Sequence, residues 1–265
     1  MADFFTEFLE RFNVTNIAIA AAAFAVLAAV GAKYLAHAWR AARGDYTICL
    51  MNKSDSGEIA ACFQTVVVHT TPYEVRPFPW SQRTRNLAVG LRVEVPAQAA
   101  PRSIGLDAPT GRPSLQAAEA LGLMFLGSGA FGPQDCDGFG RMRTDQFIAR
   151  VSDNIPRMAA AYRTIIAETA ANRPSRVGGA VLEYRLLHHA WPCAGDRFVI
   201  RSGLAGVDER TQRLVHWLLD PATGQAWGSA EAVAVSLDLD ARKIIAISPP
   251  ARAELIKRVI PGLRL

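Results

Sequence analysis

The 265-residue sequence has only four cysteines, Cys49, Cys62, Cys136 and Cys193, and no two of them form a C-x-x-C pair. No histidine cluster stands beside them at ligand spacing, so neither a structural zinc site nor a metal cofactor is expected; the cysteines read as free thiols in a reducing compartment. Runs of like charge are missing too. The 29 Lys and Arg are dispersed among 24 Asp and Glu, for a net charge of +5, which argues against nucleic-acid binding and suits anionic headgroups or a phosphorylated substrate equally. No G-x-S-x-G nucleophile elbow occurs, since Leu126 stands two positions before Ser128. With 50% hydrophobic and 20% charged residues, nothing suggests disorder, and the length suits one or two domains with a buried core.

What is present begins with an apolar run. No charged residue falls between Phe12 and Ala32, and Ile17 to Ala32 reads IAIAAAAFAVLAAVGA. About 20 apolar residues cross a bilayer as a helix, so residues 12–37 are expected to span it and contact lipid. Asp3, Glu7 and Glu10 precede the run and Lys33, Arg40 and Arg43 follow it, which places the C-terminal part in the cytoplasm in a single-pass arrangement. A cleaved leader would carry its basic residues before the run instead. Tyr34 and Trp39 suit an interfacial belt, while an alanine-rich core or interfacial helix is the other reading of the same residues.

Strand patterns follow. Tyr46 to Thr71 gives an apolar strand, a Ser/Asp/Gly turn and a second strand; Arg213 to Leu237 repeats the plan with Gly224 where Gly57 stood. Superposing the glycines sets Ile48 and Leu50 against Val215 and Trp217, which points to a duplicated domain with a shortened first copy, or to two generic hairpins. Between them Pro72, Pro77, Pro79, Pro96, Pro101, Pro109 and Pro113 exclude a long helix and predict an extended strap with one short helical turn near Asn86 to Leu91. Pro113 to Leu123 then reads as a short helix ending at Gly122.

The remainder predicts a strand at Met124 to Phe131, a glycine and aspartate loop, and a helix over Thr144 to Thr169. Pro156 should break that helix around Ser152 to Asn154. Strands near Ala180–Ala190, Arg197–Gly206, Thr211–Asp220 and Gln225–Asp240 complete an α+β layer in which the sheet wraps the helix, before a small terminal helix from Pro249.

Two motifs overlap in this region. Gly127-Ser128-Gly129-Ala130-Phe131-Gly132 spells G-x-G-x-x-G, but Pro133 follows, no helix opens there and the later strands form hairpins, so strand bulges and close backbone approach are the expected role. His188 and His189 are adjacent and would face opposite sides of a strand, unable to share a metal; His216 sits in an apolar strand and reads as core. Asp137 remains, in the loop before the long helix. There it is either a cap, or a nucleophile or general base beside N–H groups that polarise a thioester carbonyl.

The stretch DCDGFGRMR resembles the D-x-x-G-H-[MV]-N motif of the hotdog-fold thioesterases, close in wording to the 4-hydroxybenzoyl-CoA thioesterases, with Asp137, Gly140 and Met142 at motif positions. Arg141 stands where His is frequent in that family and Arg143 where Asn is. The resemblance covers about Gly122 to Pro250. It implies a hotdog fold, an antiparallel sheet around a long helix, and hydrolysis of acyl-CoA or acyl-carrier-protein thioesters without a cofactor. It also implies that hotdogs pair, so a homo-oligomer is expected, and that the earlier hairpin is the remnant of a first hotdog in a tandem member. Asp137 would be the catalytic base or nucleophile. The backbone of Gly140, Arg141 and Met142 would hold the oxyanion, and Arg141, Arg143 and Phe147 would contact substrate, with the acyl chain near the strand from Leu182 to Leu187. Arg141 could instead pair with Asp137 and quench it, which fits a non-catalytic acyl-binding or assembly protein. The expected organisation is an anchor over 1–44, a partial hotdog and connector over 45–121, a complete hotdog over 122–250 and a tail over 251–265.

Overall fold

The computed structural model describes residues 46–51, 59–65, 81–90, 97, 100–105, 107–170 and 174–265. Backbone contacts divide the chain into two units, Met1–Pro101 and Arg102–Leu265. The apolar stretch 12–37 lies outside the described residues; among those described, no helix is long and apolar enough to cross a membrane.

In the first unit, β1 (Tyr46–Met51) and β2 (Ile59–Thr65) pair antiparallel, as the strand–turn–strand pattern predicts. Tyr46 pairs with Thr65, whereas the glycine superposition, taken together with Arg213 pairing Val233, would set it against Val66. The two hairpins therefore differ by one residue in cross-strand register. Helix α1 (Gln82–Gly90) is longer than the single turn expected and starts earlier, because the connector is free of proline between Pro79 and Pro96.

The second unit opens with α2 (Leu115–Ala120), capped by Ser114, whose side chain accepts the Ala117 N–H at 3.0 Å. Then come β3 (Met124–Ala130), a 3₁₀ turn at Pro133–Asp135, α3 (Thr144–Asn154) and α4 (Pro156–Thr169). The chain continues through β4 (Val177–His188), β5 (Arg197–Val207), β6 (Gln212–Leu219), β7 (Ala226–Asp238), the two-residue β8 (Lys243–Ile244) and α5 (Pro249–Ile256). The sheet order is β3-β5-β6-β7-β4, with β8 on β7, and every ladder is antiparallel. The expected helix break falls at Ile155, just past the Ser152–Asn154 window, because Pro156 needs no N–H at the first position of a new helix.

Alternation in β6 explains how the sheet is covered on both faces. Leu214 and Leu218 point to the side where Phe147 and Val151 of α3 and Met158, Tyr162 and Ile166 of α4 are buried. Val215, Trp217 and Leu219 point to the other side and pack with Ala118, Leu123 and Leu263. On that second face a short strap crosses the strands. The Glu183 carboxylate accepts the backbone N–H groups of Arg102, Ser103 and Ile104 at 2.9–3.2 Å, and Arg185 donates to the carbonyls of Gly105 and Asp107.

The glycine motif is structural, as expected. The β3–β5 register shifts between Phe125 and Gly127, and a Cβ on Gly127 would lie 2.0 Å from the Asn154 carboxamide oxygen at the end of α3. Gly127 thus supplies the bulge and the close approach at one position.

Candidate active site

The loop from Cys136 to Met142 is built as a tight turn around Asp137. Its carboxylate Oδ1 accepts the backbone N–H groups of Phe139 at 2.8 Å and Arg141 at 3.1 Å. The main chain closes the same turn: Asp137 N–H donates to Arg141 O at 2.7 Å and Gly140 N–H to Asp137 O at 3.0 Å. Such side-chain-to-backbone bonding suits a short Asp followed by a residue in the left-handed region, here Gly140 at φ 76°. Asp137, Gly138, Phe139 and Gly140 are exposed, and Met142 is 1% exposed. The apolar motif position therefore anchors the turn while the carboxylate stands at the surface.

A second loop holds the first. Met142 N–H donates to Pro192 O at 2.7 Å, Ala194 N–H to Gly140 O at 3.3 Å, and Arg141 bridges Cys193. Cys136 forms an isolated bridge with Met142, and burial is the largest influence pushing its thiol pKa up. Among the described residues no group of His, Cys, Asp and Glu could hold a metal ion.

These contacts revise the expected oxyanion donors. The N–H groups of Gly140, Arg141 and Met142 are all committed to acceptors within the chain: Asp137 O, Asp137 Oδ1 and Pro192 O. The acceptor of Met142 lies far along the sequence, so no local pattern could reveal it. At the start of α3, Arg143 at the N-cap provides no side-chain cap, while the Gln146 N–H donates to the Arg143 carbonyl at 3.0 Å.

The expected substrate residues are distributed unevenly. Arg141 stacks its guanidinium 5.6 Å from the Phe139 ring centroid. Arg143 is held by its own segment: Nε and Nη2 donate to the Asp145 carboxylate at 3.1 and 2.9 Å, and Nη1 to Gln134 O at 2.8 Å. The hydrogen bond between them raises the pKa of Arg143 and lowers that of Asp145. Phe147 is fully buried, with its ring beside Gly228 and edge-on to His188 at 6.4 Å. It is a core residue in this structure, not the wall of an open path.

His188 is the last residue of β4 and His189 the first beyond it, and the two have different partners. His188 stacks on Trp191 at 4.1 Å, and His189 Nε2 lies 2.8 Å from Ser229 Oγ. Burial, with His189 adding to it, lowers the His188 pKa to about 4. The carboxylate that sequence reading passed over is Asp135, 5% exposed, whose Oδ2 accepts the Gly132 N–H at 2.8 Å and whose Oδ1 is bound by Arg150 of α3.

Residues 131–255 match the model of the thioesterase-like superfamily. No curated protein matches the chain. Among solved structures it is similar to a thioesterase-superfamily protein of Jannaschia sp. CCS1, with 13% identity over 58% of this chain and 96% of that one and a TM-score of 0.44. A 1,4-dihydroxy-2-naphthoyl-CoA thioesterase from Synechocystis shares 16% identity over 50% of this chain and 97% of its own, with a TM-score of 0.39. A Staphylococcus aureus protein solved in complex with CoA shares 14% over 53% and 89%, with a TM-score of 0.42. The segment 131–255 that matches the thioesterase-like superfamily contains the Asp137 turn, both helices and the strands from β4 onward.

Proposed function

We propose that the chain is a membrane-anchored acyl thioesterase that hydrolyses acyl-CoA or acyl-carrier-protein thioesters from the cytoplasmic side. The observation that carries this reading is Asp137, a surface carboxylate fixed by two backbone N–H groups in the loop that leads into α3, inside the segment that matches the superfamily. Asp137 either attacks the thioester carbonyl and expels the thiolate, leaving an acyl anhydride that water then hydrolyses to free acid and carboxylate, or takes a proton from the attacking water as the carbon–sulfur bond breaks; in both routes a proton from water ends on the thiol. The N–H donor for the oxyanion comes from the start of α3 at Thr144, where Arg143 adds no side-chain cap, rather than from Gly140 to Met142. Residues 12–37 form the anchor, the hairpin β1–β2 descends from a first hotdog, and the working form is a homo-oligomer.

A second reading is favoured by the engagement of the Gly140, Arg141 and Met142 amides: a non-catalytic acyl-binding or assembly hotdog. The experiment is thiol release from a panel of acyl-CoA and acyl-carrier-protein substrates by the full chain in membranes or detergent. Turnover supports the thioesterase reading. Retention of acyl-CoA without thiol release replaces it with the second.

A further inference from the structure

The motif segment carries two carboxylates, and the fold assigns them opposite surroundings. Asp135 ends the 3₁₀ turn Pro133–Asp135 and is turned inward at 5% exposure, while Asp137, two residues on in the loop, is exposed. Both oxygens of Asp135 are occupied, one by the Gly132 N–H and one by the Arg150 guanidinium. An acceptor so committed is not a base for substrate.

The same turn is also gripped through its main chain. Arg143 donates its N–H to Asp135 O at 3.0 Å and its guanidinium to Gln134 O at 2.8 Å. Helix α3 therefore fastens Pro133–Asp135 at its first turn through Arg143 and about two turns later through Arg150. Arg150 also approaches Asp153 at 3.8 Å, and its buried Nε has no partner among the described residues.

We propose that Asp135 is a positioning residue for Asp137, its pair with Arg150 fixing the Asp137 turn along α3. The inference rests on the thioesterase reading. A buried carboxylate–guanidinium pair contributes little net stability, because desolvating both charges offsets their attraction; an apolar pair of similar volume holds a fold as well. What an apolar pair does not supply is direction. The carboxylate must meet Gly132 N–H and Arg150 together, which fixes the turn in one register, and Asp137 follows two residues later. A displacement near 1 Å at a reacting group costs on the order of 100-fold in rate.

The test uses the full chain with Asp135→Asn, Asp135→Glu and the apolar double substitution Asp135→Leu with Arg150→Met. Each is read for melting temperature, kcat and KM on acyl-CoA, and amide hydrogen exchange over residues 137–141. The double substitution is expected to keep a melting temperature close to wild type while kcat falls about 10- to 100-fold and KM stays within about threefold. Asp135→Glu, which keeps the charge, should recover part of the kcat lost in Asp135→Asn. Wild-type kcat in a double variant with wild-type stability overturns the proposal. If that variant does not fold, unchanged kcat in Asp135→Asn, measured below its melting temperature, overturns it. If the wild-type chain turns nothing over, the thioesterase reading fails by itself, and exchange decides positioning: faster exchange at Phe139 and Arg141 in Asp135→Asn supports it, unchanged exchange removes it.

Discussion

Ser202 Oγ and His216 Nδ1 lie 2.8 Å apart across the β5–β6 ladder, with His216 only 1% exposed. Burial lowers the His216 pKa from 6.5 to about 4, and His188 is lowered to about 4 as well. Between those values the unfolded chain binds protons that the folded chain does not. Stability is therefore complete above about pH 6.5 and is lost progressively as pH falls toward 4. Thermal melts across that window should show a falling melting temperature, and His216→Gln should flatten part of the slope. An equal slope in the variant would assign the loss to other groups.

Gly228 is the position where β7 lets the α3 ring in. A Cβ there would lie 2.7 Å from Phe147 Cε2 and 3.0 Å from Leu187 O, one a buried ring and the other backbone, neither able to yield freely. Gly228→Ala should cost about 1–3 kcal/mol by denaturant titration. A neutral result would show that the ring has room to move.

The Glu183 carboxylate gathers the first residues of the strap on the second sheet face, beside Arg185 and Arg213, which donate to the strap's carbonyls. Three consecutive N–H groups meet the Glu183 carboxylate, an arrangement suited to an anion. Glu183→Ala should release residues 102–107, seen as faster limited proteolysis there, with a stability loss of about 1–3 kcal/mol. Unchanged cleavage would mean that Arg185 and Ile104 hold the strap by themselves.

The anchor can be tested by fractionation. The full chain should remain with membranes after an alkaline wash, and removal of residues 1–44 should release it. A full chain recovered in the wash would rule out a spanning segment at 12–37.

Much of the second unit was legible because its signals are local. Strands β5 to β7 announce themselves by apolar runs that feed two cores, with Leu214 and Leu218 on one side and Val215 and Trp217 on the other. Pro156 located the helix break to within a residue. The G-x-G-x-x-G was recognisable as strand geometry because Pro133 and the missing helix spoke against a nucleotide loop. What escaped the sequence is long-range: the Pro192 carbonyl that takes the Met142 N–H, the Glu183 carboxylate under the strap, and Arg150 seated on Asp135. Nothing in DCD distinguishes the inward aspartate from the outward one until α3 is in place. The two-residue β8 is likewise too short to leave a periodic signal.

The most direct test of the account is Asp137→Asn in the full chain, assayed for thiol release from acyl-CoA. The asparagine carbonyl can still accept the Phe139 and Arg141 N–H groups that Asp137 Oδ1 accepts, so the turn persists and only the charge is lost. The account predicts a fall of about 10²- to 10⁴-fold in kcat/KM at an unchanged melting temperature. Equal rates in the two proteins would contradict it.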